Sequence, residues 1–477
     1  MKRIFYVSSE VTPYAASGGL GDVLGALPRA VRRIAGRGVE IGVFMPLYAT
    51  IEEKYKKKMR EVSRGEFSLA WRRIGYSVWS LSRYGVDYYF VDCQRYFDRG
   101  AMYGEFDDGE RFAVFSRAVL DYIEVSGKIP DVLNANDWQT ALTIIYLRTV
   151  FSENPRLSRI RTVFTVHNMA YQGKYDVAIL SDIFDIHPVH LGVLEYDGCL
   201  NLMKGALTVA DRVTTVSPRY AEELCDPFFA EGLADIVRSV SYKMKGILNG
   251  IDTAYFDPMD LAIPYDFQGV IEGKARNKAA LLREVSLVGC GERPLIVMIG
   301  RLVADKGIDL LLDILPCLRS LDIGLVVLGT GEPEYEAALL RFAEENRDFV
   351  RVFMEFDRDL SKKLYASADI FLMPSRREPC GLAQMVACRY GAVPVVCGTG
   401  GLLDTIIPYG RPDGRGFVFR IHHADELFGA LRDAVWLYRN DREAFNALSR
   451  RVARVRFGWG TSAKEYLALY RELEEAT

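Results

Sequence analysis

Short runs of β-branched and aromatic residues alternate along the chain with longer stretches in which apolar positions recur every three or four residues. In the first half the short runs predict strands at Ile4–Ser8, Glu40–Phe44, Asp87–Val91, Val132–Ala135, Thr162–Val166 and Arg212–Val216. The second half restarts the pattern at Leu295–Ile299, Gly324–Leu328, Val350–Phe353, Ile370–Met373 and Val393–Val396. Strands separated by amphipathic helices argue for a parallel sheet with crossover helices. The restart argues for two such α/β, doubly wound domains in series. Their junction is expected at Gly246–Asp252, where a turn signal precedes a polar, proline-containing stretch that runs to Pro264. The expected division is therefore 1–248, 249–458 and a tail, 459–477, whose helix Ser462–Glu474 is expected to pack back on the first domain.

Composition narrows the function classes. The 477 residues are 49% hydrophobic and 26% charged, the balance of a soluble globular protein and more chain than one core usually serves. A net charge of -3 gives no electrostatic reason to expect nucleic acid as a partner. The opening Met1–Glu10 has an apolar core too short for a signal peptide, and no apolar run approaches the thickness of a bilayer. The eight cysteines form no C-x-x-C pair and there are five histidines, so neither a disulfide framework nor a metal site is suggested. A cytoplasmic protein with no membrane or nucleic-acid partner is the expectation.

The candidate chemistry sits at strand ends, where open α/β sheets bind ligands. Gly300-Arg301-Leu302-Val303-Ala304-Asp305-Lys306-Gly307 follows the strand at 295–299. Its arginine and lysine, five residues apart, can reach one diphosphate, the first as a bidentate fork and the second as a mobile point charge. The alternative for this segment is a solvated loop. Pro374-Ser375-Arg376-Arg377-Glu378-Pro379-Cys380-Gly381-Leu382 follows the strand at 370–373 and places a carboxylate in a loop that opens a helix. Glu378 there can hold sugar hydroxyls, or serve only as a helix-start cap. His167 and Asn168 follow the strand at 162–166 in the other domain. Ser17-Gly18-Gly19-Leu20-Gly21-Asp22 is echoed by Thr399-Gly400-Gly401-Leu402-Leu403-Asp404. A Gly-Gly turn before a helix presents backbone N–H groups to an anion, or merely turns a corner.

Taken together these motifs resemble the bacterial glycogen synthase and plant starch synthase family of retaining glycosyltransferases. The resemblance is collinear over essentially the whole chain. It includes Ser9-Glu10, Gly18 to Val23, Asn136-Asp137-Trp138-Gln139-Thr140, His167-Asn168, Tyr171-Gln172-Gly173, Ala210 to Pro218 and Asn249-Gly250-Ile251-Asp252. Arg301-Leu302, Lys306-Gly307, Glu378 to Leu382, Gln384 and Thr399 to Leu402 continue it. The resemblance implies the GT-B fold, two Rossmann-like domains facing across a cleft, with an acceptor-side first domain and a nucleotide-sugar second domain. It implies transfer of glucose from ADP-glucose, or alternatively UDP-glucose, to the non-reducing end of an α-1,4-glucan, without a cofactor or metal. Arg301 and Lys306 would neutralise the diphosphate, Glu378 would face the donor glucose with Cys380, Gly381 and Leu382, and the amides of Thr399, Gly400 and Gly401 would hold a phosphate. His167 would stand beside the reacting sugar with Asp137 and Asn249, and Ser17, Gly18, Gly19 and Asp22 would complete the site.

The chain departs from the family at three places. The usual Lys-x-Gly-Gly is Ala16-Ser17-Gly18-Gly19, the usual Tyr and His are Phe356 and Lys362, and the segment 226–242 lacks the customary glycines. Rival readings are a nucleotide-sugar epimerase, which does not explain the Arg301, Lys306 and Glu378 loops, and a glucan-binding paralogue without turnover. Asp357-Arg358-Asp359 matches the metal-binding string of the other major transferase fold, but lies on a charged stretch before a helix and is read as chance.

Overall fold

The computed structural model describes residues 1–355 and 357–475; Phe356 lies outside the described residues. The chain divides into two compact units, one formed by Met1–Asn249 with Trp459–Thr477 and the other by Gly250–Gly458.

The N-terminal unit is built on strands β1 (Arg3–Val7), β2 (Glu40–Pro46), β3 (Arg60–Leu69), β4 (Arg72–Arg83), β5 (Val86–Asp92), β6 (Val132–Asn136), β7 (Arg161–Val166), β8 (Arg212–Thr215) and β9 (Met244–Gly246). They lie in the order β9-β8-β7-β6-β1-β2-β5-β4-β3. The strands from β9 to β5 are parallel, and β4 and β3 add an antiparallel extension. Central strands such as β1 are apolar and buried almost throughout because helices cover both faces of a parallel sheet. The antiparallel extension escapes a reading based on apolar runs for the opposite reason. Along β3 only Phe67 and Leu69 are buried, so most of the strand reads as polar surface.

The C-terminal unit contains β10 (Leu295–Ile299), β11 (Gly324–Leu328), β12 (Val350–Phe353), β13 (Ile370–Met373), β14 (Val393–Cys397) and β15 (Phe417–Phe419). Their order is β12-β11-β10-β13-β14-β15, all parallel. The strand order reverses beside β10 in this sheet and beside β1 in the first. Such a reversal splays the connecting loops apart and leaves a crevice at the carboxyl ends of the strands, against β13 and β6 respectively.

The last helix, Gly460–Glu475, packs in the N-terminal unit against the helix Gly19–Ala35. It is anchored by polar contacts as well as by apolar burial. The hydroxyl of Tyr470, wholly buried, accepts from Asn134 Nδ2 at 2.9 Å and lies 3.3 Å from the hydroxyl of Tyr6. Ser462 Oγ donates to the Leu248 carbonyl, and the Met1 ammonium pairs with Glu474.

Tyr470→Phe keeps the ring and removes the acceptor of a buried amide. It should cost about 1–3 kcal/mol, the penalty for a buried donor left unpaired. A lowered urea midpoint for the N-terminal unit checks this, and an unchanged midpoint would mean that the apolar face alone holds the helix.

Candidate active site

In the C-terminal unit the two loops flanking the reversal meet through charge. Lys306 Nζ lies 2.6 Å from Glu378 Oε2, which also accepts from Ser375 Oγ at 2.9 Å. Glu378 is only 6% exposed, so its carboxylate has exchanged water for these two partners. Arg301, in the same loop as Lys306, is exposed and pairs with no carboxylate among the described residues. The site thus carries one cation already partnered and one free.

Glycines make the approach of these loops possible. Gly307 has φ 72°, and a β-carbon there would overlap the Pro374 carbonyl. Gly400 has φ 45° and lies against the Glu378 carbonyl, while a β-carbon on Gly401 would overlap the backbone of Cys380. Gln384, fully buried, donates to the carbonyls of Cys380 and Gly381, both at 3.0 Å, and fastens the segment before Leu382.

The expectation for Thr399, Gly400 and Gly401 needs correcting. The N–H groups of Thr399 and Gly401 donate inside the fold, to the carbonyls of Cys397 and Glu378 at 2.9 and 3.1 Å, so those two amides are not presented to a phosphate. The buried hydroxyl of Thr399, which has no hydrogen-bond partner among the described residues, is the polar atom left over there.

In the N-terminal unit the same correction applies more strongly. The N–H groups of Ser17 and Gly18 donate to Glu10 Oε2 at 2.7 and 3.1 Å, and Ser17 Oγ donates to Glu10 Oε1 at 2.6 Å. Tyr103 completes the grip through its hydroxyl, 2.8 Å from Oε1. The anion at this Gly-Gly turn is therefore the protein's own buried carboxylate. Asp22 accepts from Thr12 Oγ1 at 3.1 Å, and Gly19 opens the helix behind the turn. Ala16 brings no charge; its methyl group packs where a β-carbon on Gly21 would fall.

Across the reversal, Asp137 follows β6 with φ 59° and accepts from the N–H of His167 at 2.7 Å. Burial, with the charge of Glu10 adding to it, pushes the Asp137 carboxyl up to about 7. Burial pushes the His167 imidazole down to about 3. Its tautomer follows from the neighbours. Asn136 Nδ2 donates to the carbonyls of Val7 and Asn134, so Asn136 Oδ1 must face His167 Nε2, 2.9 Å away. Nε2 carries the proton and Nδ1 the lone pair. Asn249, buried at the end of this unit, leaves its side-chain oxygen without a partner among the described residues.

The structure thus clusters Lys306, Glu378 and the Thr399–Gly401 turn in one unit, and Ser17, Gly18, Asp137 and His167 around Glu10 in the other. Glu10, Asn136, Tyr103 and Ser375 were not singled out as site residues. Ser375 and Glu10 lie at strand ends like the residues that were, but Tyr103 is distant in sequence from its partners and carries no motif. Asp357-Arg358-Asp359 is a helix start: Asp357 Oδ1 accepts from the N–H groups of Asp359 and Leu360 at 2.8 and 2.9 Å. Lys362 lies 3.8 Å above the ring centre of Tyr255. No group of three or more His, Cys, Asp or Glu among the described residues could hold a metal ion, and no helix there is long and apolar enough to cross a membrane.

Two family profiles match the chain, one described as starch synthase catalytic domain over residues 3–239 and one as glycosyl transferases group 1 over 288–451. Glycogen synthases from Alkaliphilus metalliredigens and Streptococcus mutans are each 40% identical, over 99% of this chain and all of theirs. Among solved structures, the catalytic domain of starch synthase IV from Arabidopsis thaliana, bound to ADP and acarbose, superposes with a TM-score of 0.91 at 31% identity and 99% coverage of both chains. Sucrose-phosphate synthase from Thermosynechococcus elongatus shares the fold, with a TM-score of 0.64 at 17% identity over the full length of both.

The shifted groups of the N-terminal unit predict an unusual pH response. His167 takes up a proton below about pH 6.5 when unfolded but only below about 3 when folded, so its contribution to stability is lost as pH falls through that window. Asp137 acts in the opposite sense between 3.8 and about 7, where the folded state holds the extra proton. From about pH 4 to 6.5 the two cancel. His167→Gln removes one side, so its urea midpoint should rise relative to wild type between pH 7 and pH 5. A midpoint difference that does not change with pH would refute the neutral, half-buried imidazole.

Proposed function

Because the chain belongs to the glycogen synthase and starch synthase family of glycosyltransferases, we propose that it transfers glucose from ADP-glucose to the non-reducing end of an α-1,4-glucan, with retention at the anomeric carbon. The observation that carries the reading is the Lys306–Glu378–Ser375 cluster beside the unpartnered Arg301, at the reversal of the C-terminal sheet.

Arg301 meets the diphosphate first. Lys306 is half-buried and can share its charge between Glu378 and a phosphate, which stabilises the leaving group as negative charge builds on it. Glu378, steadied by Ser375, accepts from hydroxyls of the donor glucose. The ADP seen with the starch synthase IV domain supports a nucleoside diphosphate as the product held here, and its acarbose supports a glucan-like acceptor.

His167 serves the reacting sugar as a neutral group. With Nε2–H held by Asn136, its Nδ1 lone pair can accept from a sugar hydroxyl. An imidazolium at that place would repel the positive charge that develops at the anomeric carbon, so the depressed basicity suits the chemistry. The acceptor hydroxyl attacks on the face from which the diphosphate leaves, and the departing phosphate oxygen takes its proton. Fixed charge on Arg301 and Lys306 does the work that a divalent metal does in other transferases.

Transfer from ADP-glucose to glycogen should therefore persist in excess EDTA and exceed transfer from UDP-glucose. Activity lost in EDTA and restored by magnesium or manganese would overturn the metal-independent mechanism, and a preference for UDP-glucose would overturn the donor. Separately, Lys306→Ala should lower kcat by roughly a hundredfold or more, beyond any change in KM. A variant that is folded and has near-normal kcat would remove Lys306 from the mechanism.

A further inference from the structure

Arg111 heads the largest side chains that the protein buries completely. It stands in the first turn of the helix Asp108–Ser126, where the positive end of the helix dipole disfavours a cation. A buried charge also loses its hydration, and a well-packed apolar side chain in its place is often no less stable. Stability alone therefore does not account for an arginine here. Its partners do.

The guanidinium forks into backbone. Nε donates to the Tyr96 carbonyl at 2.9 Å, Nη2 to that of Ala101 at 3.3 Å and Nη1 to that of Met102 at 3.4 Å. Nη1 also meets the carboxylate of Asp108, whose other oxygen accepts from the Gly104 N–H at 2.8 Å. The rings of Phe97 and Phe112 flank the group, their centres 5.8 and 5.7 Å from its central carbon. Arg111 and Asp108 together thus grip residues 96, 101, 102 and 104 of the segment that follows β5. Further out, Arg99 holds both oxygens of Asp107, at 2.6 and 2.7 Å. A surface loop ordinarily leaves such carbonyls to water and keeps its freedom to move. This one is fastened at each end of a short stretch.

The residue enclosed by the fastenings is Tyr103. Its hydroxyl donates to Glu10 Oε1 and, having one proton, must accept from Ser9 Oγ, each at 2.8 Å. Burial pushes that hydroxyl well above its ordinary range, so it remains a donor at neutral pH. Glu10 in turn collects the N–H groups of Ser17 and Gly18, and its charge bears on Asp137, which accepts from the His167 N–H. A continuous set of polar contacts therefore runs from the arginine to the residues around the reacting sugar.

We propose that Arg111 is a positioning residue: by fastening the loop 96–104 it brings Tyr103 onto Glu10, and so sets the Ser17–Gly18 turn that meets the donor glucose. The part that concerns the sugar rests on the function proposed above; the fastening of the loop does not. Arg111 touches no substrate and acts through Tyr103.

Three variants test this. Arg111→Met removes the fork, Arg111→Lys keeps a charge opposite Asp108 without the planar fork, and Tyr103→Phe removes the hydroxyl that the loop delivers. Each should raise KM for ADP-glucose about 10-fold, the worth of one charge-assisted hydrogen bond. The turn meets bound donor and transition state alike, so kcat should stay within about twofold of wild type. Arg111→Met combined with Tyr103→Phe should be no worse than the poorer single variant, because both break the same link. Losses that multiply in the double variant would overturn the role. So would a lowered kcat at unchanged KM, which is what a partly misfolded preparation gives. Should Arg111→Met fail to fold, Arg111→Lys carries the same comparison with Tyr103→Phe. Limited digestion supplies a readout besides activity: trypsin should cut after Arg99 about 10-fold faster in the Arg111 variants than in wild type, as the loop opens more often. Unchanged cutting would overturn the fastening. Should wild type transfer glucose from neither nucleotide, the proposed function fails, and the rate of cutting alone still decides whether Arg111 holds the loop.

Discussion

The Lys306–Glu378 pair depends on three places where one stretch of backbone rests directly on another. Gly307 lies against the carbonyl of Pro374, Gly400 against that of Glu378, and Gly401 against Cys380. Any side chain at these positions would wedge apart loops that start from different strands. Two of the three glycines also have positive φ, which an L residue adopts only at a cost. Because the backbones touch, a lysine from the loop after β10 meets a carboxylate from the loop after β13 at hydrogen-bond distance. The geometry of the charged pair is thus set by the absence of atoms elsewhere.

The N-terminal unit solves the same problem by another route. Its Gly-Gly turn is organised by a buried carboxylate, Glu10, which gathers two backbone N–H groups and two hydroxyls. The result is a site edge without a free cation, next to an imidazole that burial keeps neutral and a carboxyl that burial keeps partly protonated. Positive charge is concentrated in Arg301 and Lys306 of the C-terminal unit.

Much of this was legible in the sequence, and the exceptions share a cause. The central strands announce themselves because both of their faces are buried, so β10 to β13 begin and end where their apolar runs do. The polar edge strand β3 has no such run, and in β15 the run is only three residues long. Arg301, Lys306, Glu378 and His167 stand out because they sit in glycine- and proline-marked loops at strand ends. Glu10 and Asn136 do not, because their importance lies in what they hold. The Gly-Gly echo shows the limit of local reading. It identifies a turn rich in N–H groups, but which acceptor takes them depends on residues that only the fold brings near.

The final helix gives the chain an unusual order of assembly. Gly250–Gly458 is an insertion between two parts of the N-terminal unit, and the second part supplies the Tyr470 contact to Asn134 and the Glu474 contact to the first residue. On a ribosome, the unit that is made first must wait for the unit that is made second. Until Gly460–Glu475 emerges, the face of Gly19–Ala35 that it covers is open to water, and the buried amide of Asn134 lacks its partner. The C-terminal unit, contiguous in sequence, meets no such delay. A chain stopped a few turns short would therefore carry a complete C-terminal unit joined to an N-terminal unit with an exposed seam. Chaperones and proteases recognise that kind of exposed apolar surface, so completion of the last helix acts as a checkpoint on the whole protein.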